Sequence, residues 1–260
     1  MSVLTPPRTD RGIGRINPVA KLGASLLLAG VLVLTIDWVS AAVALCCELV
    51  LFLFAGVSLR TLVWRTLPVW LAAPTVAVTT LLYGQESGAV YWSFGLIHVT
   101  EGSAALALAS LLRVLAIGLP AVVLFITVDP TDLADGLAQV VRLPARFVLG
   151  GLAGLRLVGL FIDDWHALEL ARRARGVADG HAIRRVGSQA FALLVLSIRR
   201  GSKLATAMEA RGFGSDAPRS WARESPFGAR EWGLIALGAL VAALAVTVAV
   251  LTGSWNFVLG

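Results

Sequence analysis

The chain has 260 residues, of which 57% are hydrophobic and only 15% charged, and its mean hydropathy is +0.82. An average soluble domain carries about 25% charged residues, so a membrane architecture is expected over a water-soluble core. The net charge of +6 suits anionic lipid or nucleic acid; in a chain this apolar the expected complement is the lipid bilayer, and no nucleic acid is expected as a partner.

The first twenty or so residues are polar, basic and proline-containing, and the apolar run from Leu22 to Ile36 is not followed by a small-residue cleavage pattern. A retained membrane helix is therefore expected, not a removed signal. A spanning helix takes about 20 mostly apolar residues. Five segments meet or approach that length: 20–37, 39–57, 67–83, 103–128 and 232–252. The third is short and extends towards Leu62. The fourth contains Pro120, which membrane helices tolerate when neighbours satisfy the freed carbonyl. Cys46 and Cys47 are adjacent in the second run and have no metal-ligand or disulfide spacing. Glu48 in the second span and Arg113 in the fourth are ionisable groups at membrane depth. Such groups face the bundle interior and pair, so a Glu48–Arg113 pair is expected. Trp38, Trp64, Trp70, Trp92 and Trp232 fall near span ends, as interfacial anchors do.

Basic residues orient the spans. Arg8, Arg11, Arg15 and Lys21 lie in the N-terminal tail, and Arg60 and Arg65 in the second connection. The first connection has only Asp37, and the third (84–102) has Glu86 and Glu101 without Lys or Arg. By the positive-inside rule the N-terminus is cytoplasmic. Residues 1–21 then form a cytoplasmic tail and 22–128 four transmembrane helices. Residues 129–230 form cytoplasmic amphipathic helices and a loop, and 231–260 a last transmembrane helix with an external tail.

The 129–230 region reads as three helices. In DPTDLADGLAQVV, Thr131 or Asp132 is offered as a cap and Leu133, Leu137 and Val140 or Val141 make an apolar face. A second helix starts after Pro144 and runs to Gly176. A third runs from about Ile183 to Arg211, with Gly201-Ser202 as a point of bending. The following GSDAPRSWARESPFGAR has turn composition. Residues 147–162 are apolar enough to compete as a sixth span. That topology would move five arginines outside and put Arg156 near mid-membrane, at about 2.5–3.5 kcal/mol, so helices lying against or slanting into the cytoplasmic leaflet are preferred. Gly150, Gly151 and Gly154 share one side of the second helix and permit close backbone approach.

No glycine-rich phosphate loop ending in Lys-Ser/Thr is present, so this chain is not expected to hydrolyse ATP. His98, His166 and His181 are scattered, and no metal site is expected. Asp163 and Asp164 are adjacent on a helix and point in different directions. The unusual feature is a repeated tripeptide. Ala174-Arg175-Gly176 and Ala210-Arg211-Gly212 each close an amphipathic helix. Alanine leaves the approach uncrowded, glycine takes positive φ and stops the helix, and the arginine projects a guanidinium able to bind a carboxylate or backbone carbonyls. Arg172, Arg184, Arg185, Arg199, Arg200 and Lys203 read as a basic patch for anionic lipid.

With these segments in order, the chain resembles the transmembrane T component of energy-coupling factor (ECF) transporters, the CbiQ/EcfT family. RINPVAKL (15–22) is similar to that family's Arg-x-x-Pro-x-x-Lys-Leu opening, and TVDPTDLADGL (127–137) to its Thr-x-x-Pro-x-x-Leu segment. LPARFVLGGLAGLRL (143–157), continuing to ARRARG (171–176), and AMEARGFG (207–214) resemble the two helices that follow. The resemblance implies an all-α polytopic membrane protein with about five transmembrane helices and cytoplasmic coupling helices. It implies two ABC ATPase subunits docked on Arg175 and Arg211, and a substrate-binding membrane S component. ATP would be bound by the ATPases, and this chain would hold no cofactor and take no catalytic part. The cargo would be a micronutrient, a cobalt or nickel ion or a vitamin. Gly150, Gly151 and Gly154 are the candidate S-component contact. Two other classes compete: a membrane-embedded enzyme using Asp163, Asp164 and His166, and a self-contained secondary transporter, for which inverted repeats and broken helices would be expected.

Overall fold

The computed structural model describes residues 12–54, 58–84, 87–94, 97–176, 182–215 and 220–255. Arg8, Arg11, Glu86 and His181 lie outside the described residues, as do the side chains of Trp92 and His98. The helices in chain order are α1 (Pro18–Val33), α2 (Trp38–Phe54), α3 (Leu59–Tyr83), α4 (Glu101–Phe125), α5 (Pro130–Gln139), α6 (Ala145–Ala174), α7 (Ala182–Ala210) and α8 (Ala229–Leu251). Between α3 and α4 lies an antiparallel hairpin of β1 (Val90–Phe94) and β2 (Ile97–Thr100), with Ser93 opposite His98 and Phe94 opposite Ile97. The connection expected as a plain loop is thus partly strand. Its residues, VYWSF and IHVT, are the aromatic and β-branched types that suit a pleated surface.

The chain is an all-α polytopic membrane protein apart from that hairpin. α3, α4, α6 and α8 are long and apolar enough to cross a membrane, whereas α1 and α2 are apolar but have 16 and 17 residues. At 1.5 Å per residue the two short helices reach about 24–26 Å against a hydrocarbon core of about 30 Å. A mismatch of that size is absorbed by local thinning of the bilayer. α6 meets the length and composition criterion for a span even though it carries Arg156.

Two compact units divide the chain after Leu133 and after Ser225. The first holds α1–α4 and α8 in an alternating up-and-down arrangement. The start of α1, the end of α4 and the start of α8 meet at one end, where the Lys21 Nζ donates to Thr127 Oγ1 (2.7 Å) and Asn17 Nδ2 donates to the Pro226 carbonyl (3.0 Å). Leu28, Leu32, Leu45, Leu115 and Leu119 form its core, and Ala44, Ala73, Ala116 and Ala245 have no accessible surface. In lipid no hydrophobic force drives helices together, so small residues that admit close backbone approach carry the packing. Gly238 is one such residue: a Cβ there would come within 3.3 Å of the Ala24 Cβ and carbonyl oxygen.

Helix ends follow local chemistry, with three departures from expectation. α3 begins at Leu59, so Arg60 and Arg65 lie within it and Trp70 sits well inside the helix. Pro68 and Pro74 fall within α3 without ending it. The α5 cap is Asp129, whose Oδ1 accepts from the Thr131 amide at 2.7 Å. Pro130 then occupies the first helical position, where its missing N–H costs nothing, and this displaces the cap upstream from Thr131 or Asp132. Finally, α7 runs unbroken through Gly201-Ser202. Its backbone ladder tolerates each of its two glycines, Gly187 and Gly201, at a cost of about 1 kcal/mol.

The second unit pairs α6 with α7. Gln189, buried, donates its Nε2 to the Trp165 carbonyl at 2.9 Å. Arg200 grips Asp164 with two nitrogens, Nη1 to Oδ2 at 2.7 Å and Nη2 to Oδ1 at 2.9 Å. Gln139, at the end of α5, holds the 220–225 segment through the Arg223 carbonyl (2.8 Å) and the Ser225 amide (2.9 Å).

Candidate docking site at two helix ends

The two Ala-Arg-Gly tripeptides close α6 and α7 in the same way. Ala174 and Ala210 are the last helical residues. Gly176 has φ +65° and Gly212 φ +79°, the left-handed conformation that costs a side-chain-bearing residue and suits glycine. The Gly176 amide donates to the Arg173 carbonyl (3.1 Å), and the Gly212 amide to the Glu209 carbonyl (2.9 Å). At the α7 end a second bond, Phe213 amide to Met208 carbonyl (2.9 Å), completes the glycine-terminated cap that satisfies orphan carbonyls. The arginine in each tripeptide is therefore fixed at the last turn, one residue before the chain reverses.

The arginines nearby differ in what they bind. Arg172 donates Nη1 to Ser188 Oγ (2.6 Å), Arg173 pairs with Glu169, and Arg200 pairs with Asp164. Arg172 and Arg200, expected at lipid headgroups, are thus engaged within the α6–α7 pair. The side chains of Arg175 and Arg211 are exposed and make no hydrogen bond or ion pair among the described residues. Arg211 also lines a groove of about 640 Å³ between α6 and α7, whose walls include Leu152, Leu157, Arg156, Leu204 and Met208. An apolar floor with guanidinium groups at its margin accepts an apolar segment carrying acidic or carbonyl acceptors.

Gly150, Gly151 and Gly154 lie on an uncovered side of α6. A Cβ at any of the three would meet no atom within 4 Å. Phe147, Leu155 and Val158 on the same helix, and Ile183, Phe191 and Ile198 on α7, are exposed apolar side chains. Apolar exposure on this scale marks an interaction surface or lipid contact.

Glu48 and Arg113 are not brought together. The carboxylate oxygens of Glu48, and Nε and Nη2 of Arg113, are buried without a hydrogen-bond partner, and no ion pair joins the two residues. The acidic group acting on Arg113 is Asp37, buried at the turn between α1 and α2. Glu48 instead faces a cavity shared by α1, α2, α4 and α8. Two residues being in neighbouring helices does not set the helix faces, and the expected pair assumed facing sides. Among the remaining candidates, Asp164 is taken up by Arg200, while Asp163 and His166 are exposed. No group of three His, Cys, Asp or Glu able to hold a metal occurs among the described residues.

One set of contacts was not anticipated from the residues. The RINPVAKL and TVDPTDL segments meet. Asn17 caps α1 by accepting from the Val19 amide (3.0 Å), and its own amide donates to Glu231 (3.4 Å) while its side chain holds Pro226. Lys21 has no accessible surface and reaches Thr127, whose hydroxyl bonds the Leu124 carbonyl (3.3 Å). The signal available in the sequence was that both segments lie at span ends on the same basic side.

Comparison with known proteins bears on the whole chain. A family profile described as "Cobalt transport protein" (CbiQ) matches residues 10–221. The chain is 27% identical over 236 residues to the energy-coupling factor transporter transmembrane protein EcfT of Lacticaseibacillus paracasei, covering 86% of this chain and 89% of that protein. It is 26% identical over 254 residues to the protein of the same name from Brevibacillus brevis, covering 93% of each. With that from Limosilactobacillus fermentum it shares 31% identity over 167 residues, 60% of this chain and 62% of the relative. The chain therefore belongs to the CbiQ/EcfT family, the transmembrane energy-coupling components of ECF transporters.

Proposed function

We propose that this transport component couples two ATPase subunits, docked at Arg175 and Arg211, to a separate membrane S component that binds a micronutrient, a cobalt or nickel ion or a vitamin. The observation that carries the reading is the pair of helix ends: two tripeptides, each with a glycine at positive φ, and two exposed arginine side chains without partners among the described residues. ATP is bound by the partner ATPases, so this chain supplies no catalytic group. Opening and closing of the ATPase pair displaces the ends of α6 and α7. The uncovered glycine side at Gly150, Gly151 and Gly154, with the exposed apolar side chains beside it, passes that motion to the S component.

In the same reading the N-terminus and residues 129–230 are cytoplasmic, which the distribution of basic residues supports. α6 then lies against or slants into the inner leaflet, and its apolar exposure is covered by lipid or by the S component. The experiment is a double substitution, Arg175→Ala with Arg211→Ala, in cells that express the full transporter. ATPase co-purification and uptake are expected to be lost while the variant still reaches the membrane at the wild-type level. Unchanged co-purification and uptake would sink the docking assignment.

A further inference from the structure

We infer that the cavity between α1, α2, α4 and α8 is a binding site for a primary ammonium carried on an apolar body, with Glu48 as its anchor. The cavity holds about 320 Å³ and is partly open. Its walls are apolar, with Leu28, Phe52, Val123 and Leu237 among them, and the exposed Arg230 stands among its lining residues at the start of α8. Glu48 lines the cavity and is 3% exposed; both carboxylate oxygens lie beneath the cavity surface without a hydrogen-bond partner, and a side-chain rotation presents them to an occupant. It is six residues from the end of α2, so its Cα lies about 9 Å from that helix end.

A carboxyl group in such a place is costly. Buried charges are paired, and buried polar groups are hydrogen-bonded, because the alternative forfeits hydration with no return. The backbone around Glu48 offers no donor, since α2 uses its amides in its own ladder. An intramembrane carboxyl without a partner in its own chain points to a partner from elsewhere. Two empty oxygens select the chemistry. A hydroxyl brings one donor, whereas a primary ammonium brings three and forms charge-assisted bonds to both oxygens. The apolar walls call for a hydrocarbon body, and the opening admits a chain. Two sources share this chemistry. One is a free amphiphilic amine. The other is the head of an ethanolamine phospholipid, whose phosphate the Arg230 guanidinium would hold.

The test uses the full chain in phosphatidylcholine nanodiscs, where the surrounding headgroup has no N–H donor. Dodecylamine, dodecanol, dodecyltrimethylammonium and dihexanoyl-phosphatidylethanolamine are titrated, and binding is read by native mass spectrometry and by melting temperature. Dodecylamine is expected to bind at least about tenfold more tightly than dodecanol and dodecyltrimethylammonium, and to lose about tenfold in Glu48→Gln. If the phospholipid binds as well as dodecylamine, and Arg230→Gln weakens only the phospholipid, the source is lipid. If the phospholipid fails while dodecylamine binds, the source is a free amine. Equal binding of all four probes, or binding undiminished in Glu48→Gln, overturns the inference. Should Glu48→Gln fail to fold, the wild type still decides. An apolar carbodiimide is expected to activate Glu48, and bound dodecylamine to attack the activated carbonyl, giving the dodecylamide with release of the urea; no adduct, or the N-acylurea alone in the presence of dodecylamine, overturns the inference.

Discussion

Among the many arginines of the second unit, internal contacts identify three that hold the fold, while Arg175 and Arg211 stand out by their place at the two glycine-closed helix ends. Arg172, Arg173 and Arg200 are engaged by Ser188, Glu169 and Asp164; Arg175 and Arg211 project from the ends of their helices. Arg200→Ala is therefore expected to loosen the α6–α7 pair by up to about 1 kcal/mol, discounted for the partial exposure of the ion pair. That loss should appear as a lower melting temperature. Arg175→Ala and Arg211→Ala should leave the melting temperature unchanged. A different logic governs Lys21, which is buried and bonded to Thr127. Replacing a buried charge with an apolar side chain of similar volume is often neutral, whereas truncation leaves a cavity. Lys21→Met is expected to melt above Lys21→Ala by at least about 1 kcal/mol of stability; equal melting would show that the side chain contributes no packing. The pairing of Lys21 with Thr127 was not readable beforehand, because a contact across about a hundred residues leaves no local periodicity. The misassigned Glu48–Arg113 pair failed for the same reason: hydropathy gives a residue's depth but not the direction it faces.

At the scale of elements, glycine is needed for two different reasons and is dispensable at a third place. At Gly176 and Gly212 it supplies positive φ at a helix end. Substituting Ala at either is expected to cost about 1 kcal/mol locally, seen as faster hydrogen exchange in the last turn of α6 or α7. At Gly201, inside α7 with open space around it, Ala is expected to stabilise by about 0.5–1 kcal/mol. At Gly238 the neighbour is Ala24 on α1, and a Val side chain would push α1 from α8; lower melting of Gly238→Val is the expected result. Helix existence was legible from apolar periodicity, and the two Ala-Arg-Gly ends were legible because turn chemistry is written in adjacent residues. The apolar run 67–83 marks only the lipid-facing part of α3; the helix begins eight residues earlier, at Leu59, because a helix leaving the membrane accommodates Arg60 and Arg65 in its exposed turns. The charges of the 84–102 connection carry no information on the β1–β2 hairpin; its signal is the aromatic and β-branched composition of VYWSF and IHVT.

For the molecule as a whole, the division is between a spanning bundle packed through small residues and a pair of long helices with exposed apolar faces. Such faces are not stable in water by themselves, which is why the second unit belongs in a complex or against lipid. Length and hydropathy alone admit α6 as a span; the charge distribution around it argues for a cytoplasmic placement. With Cys46 and Cys47 replaced by Ala, a cysteine at position 203 is expected to stay unlabelled by a membrane-impermeant maleimide in intact cells and to label after permeabilisation. Labelling from outside would turn the topology over.

The central claim is that the two arginine-bearing helix ends contact motor subunits. A photo-reactive phenylalanine analogue placed at position 175 or at position 211, in cells expressing the whole transporter, tests it directly. Irradiation is expected to join each position to an ATPase subunit. Crosslinks from both positions only to lipid, or only within this chain, would contradict the account.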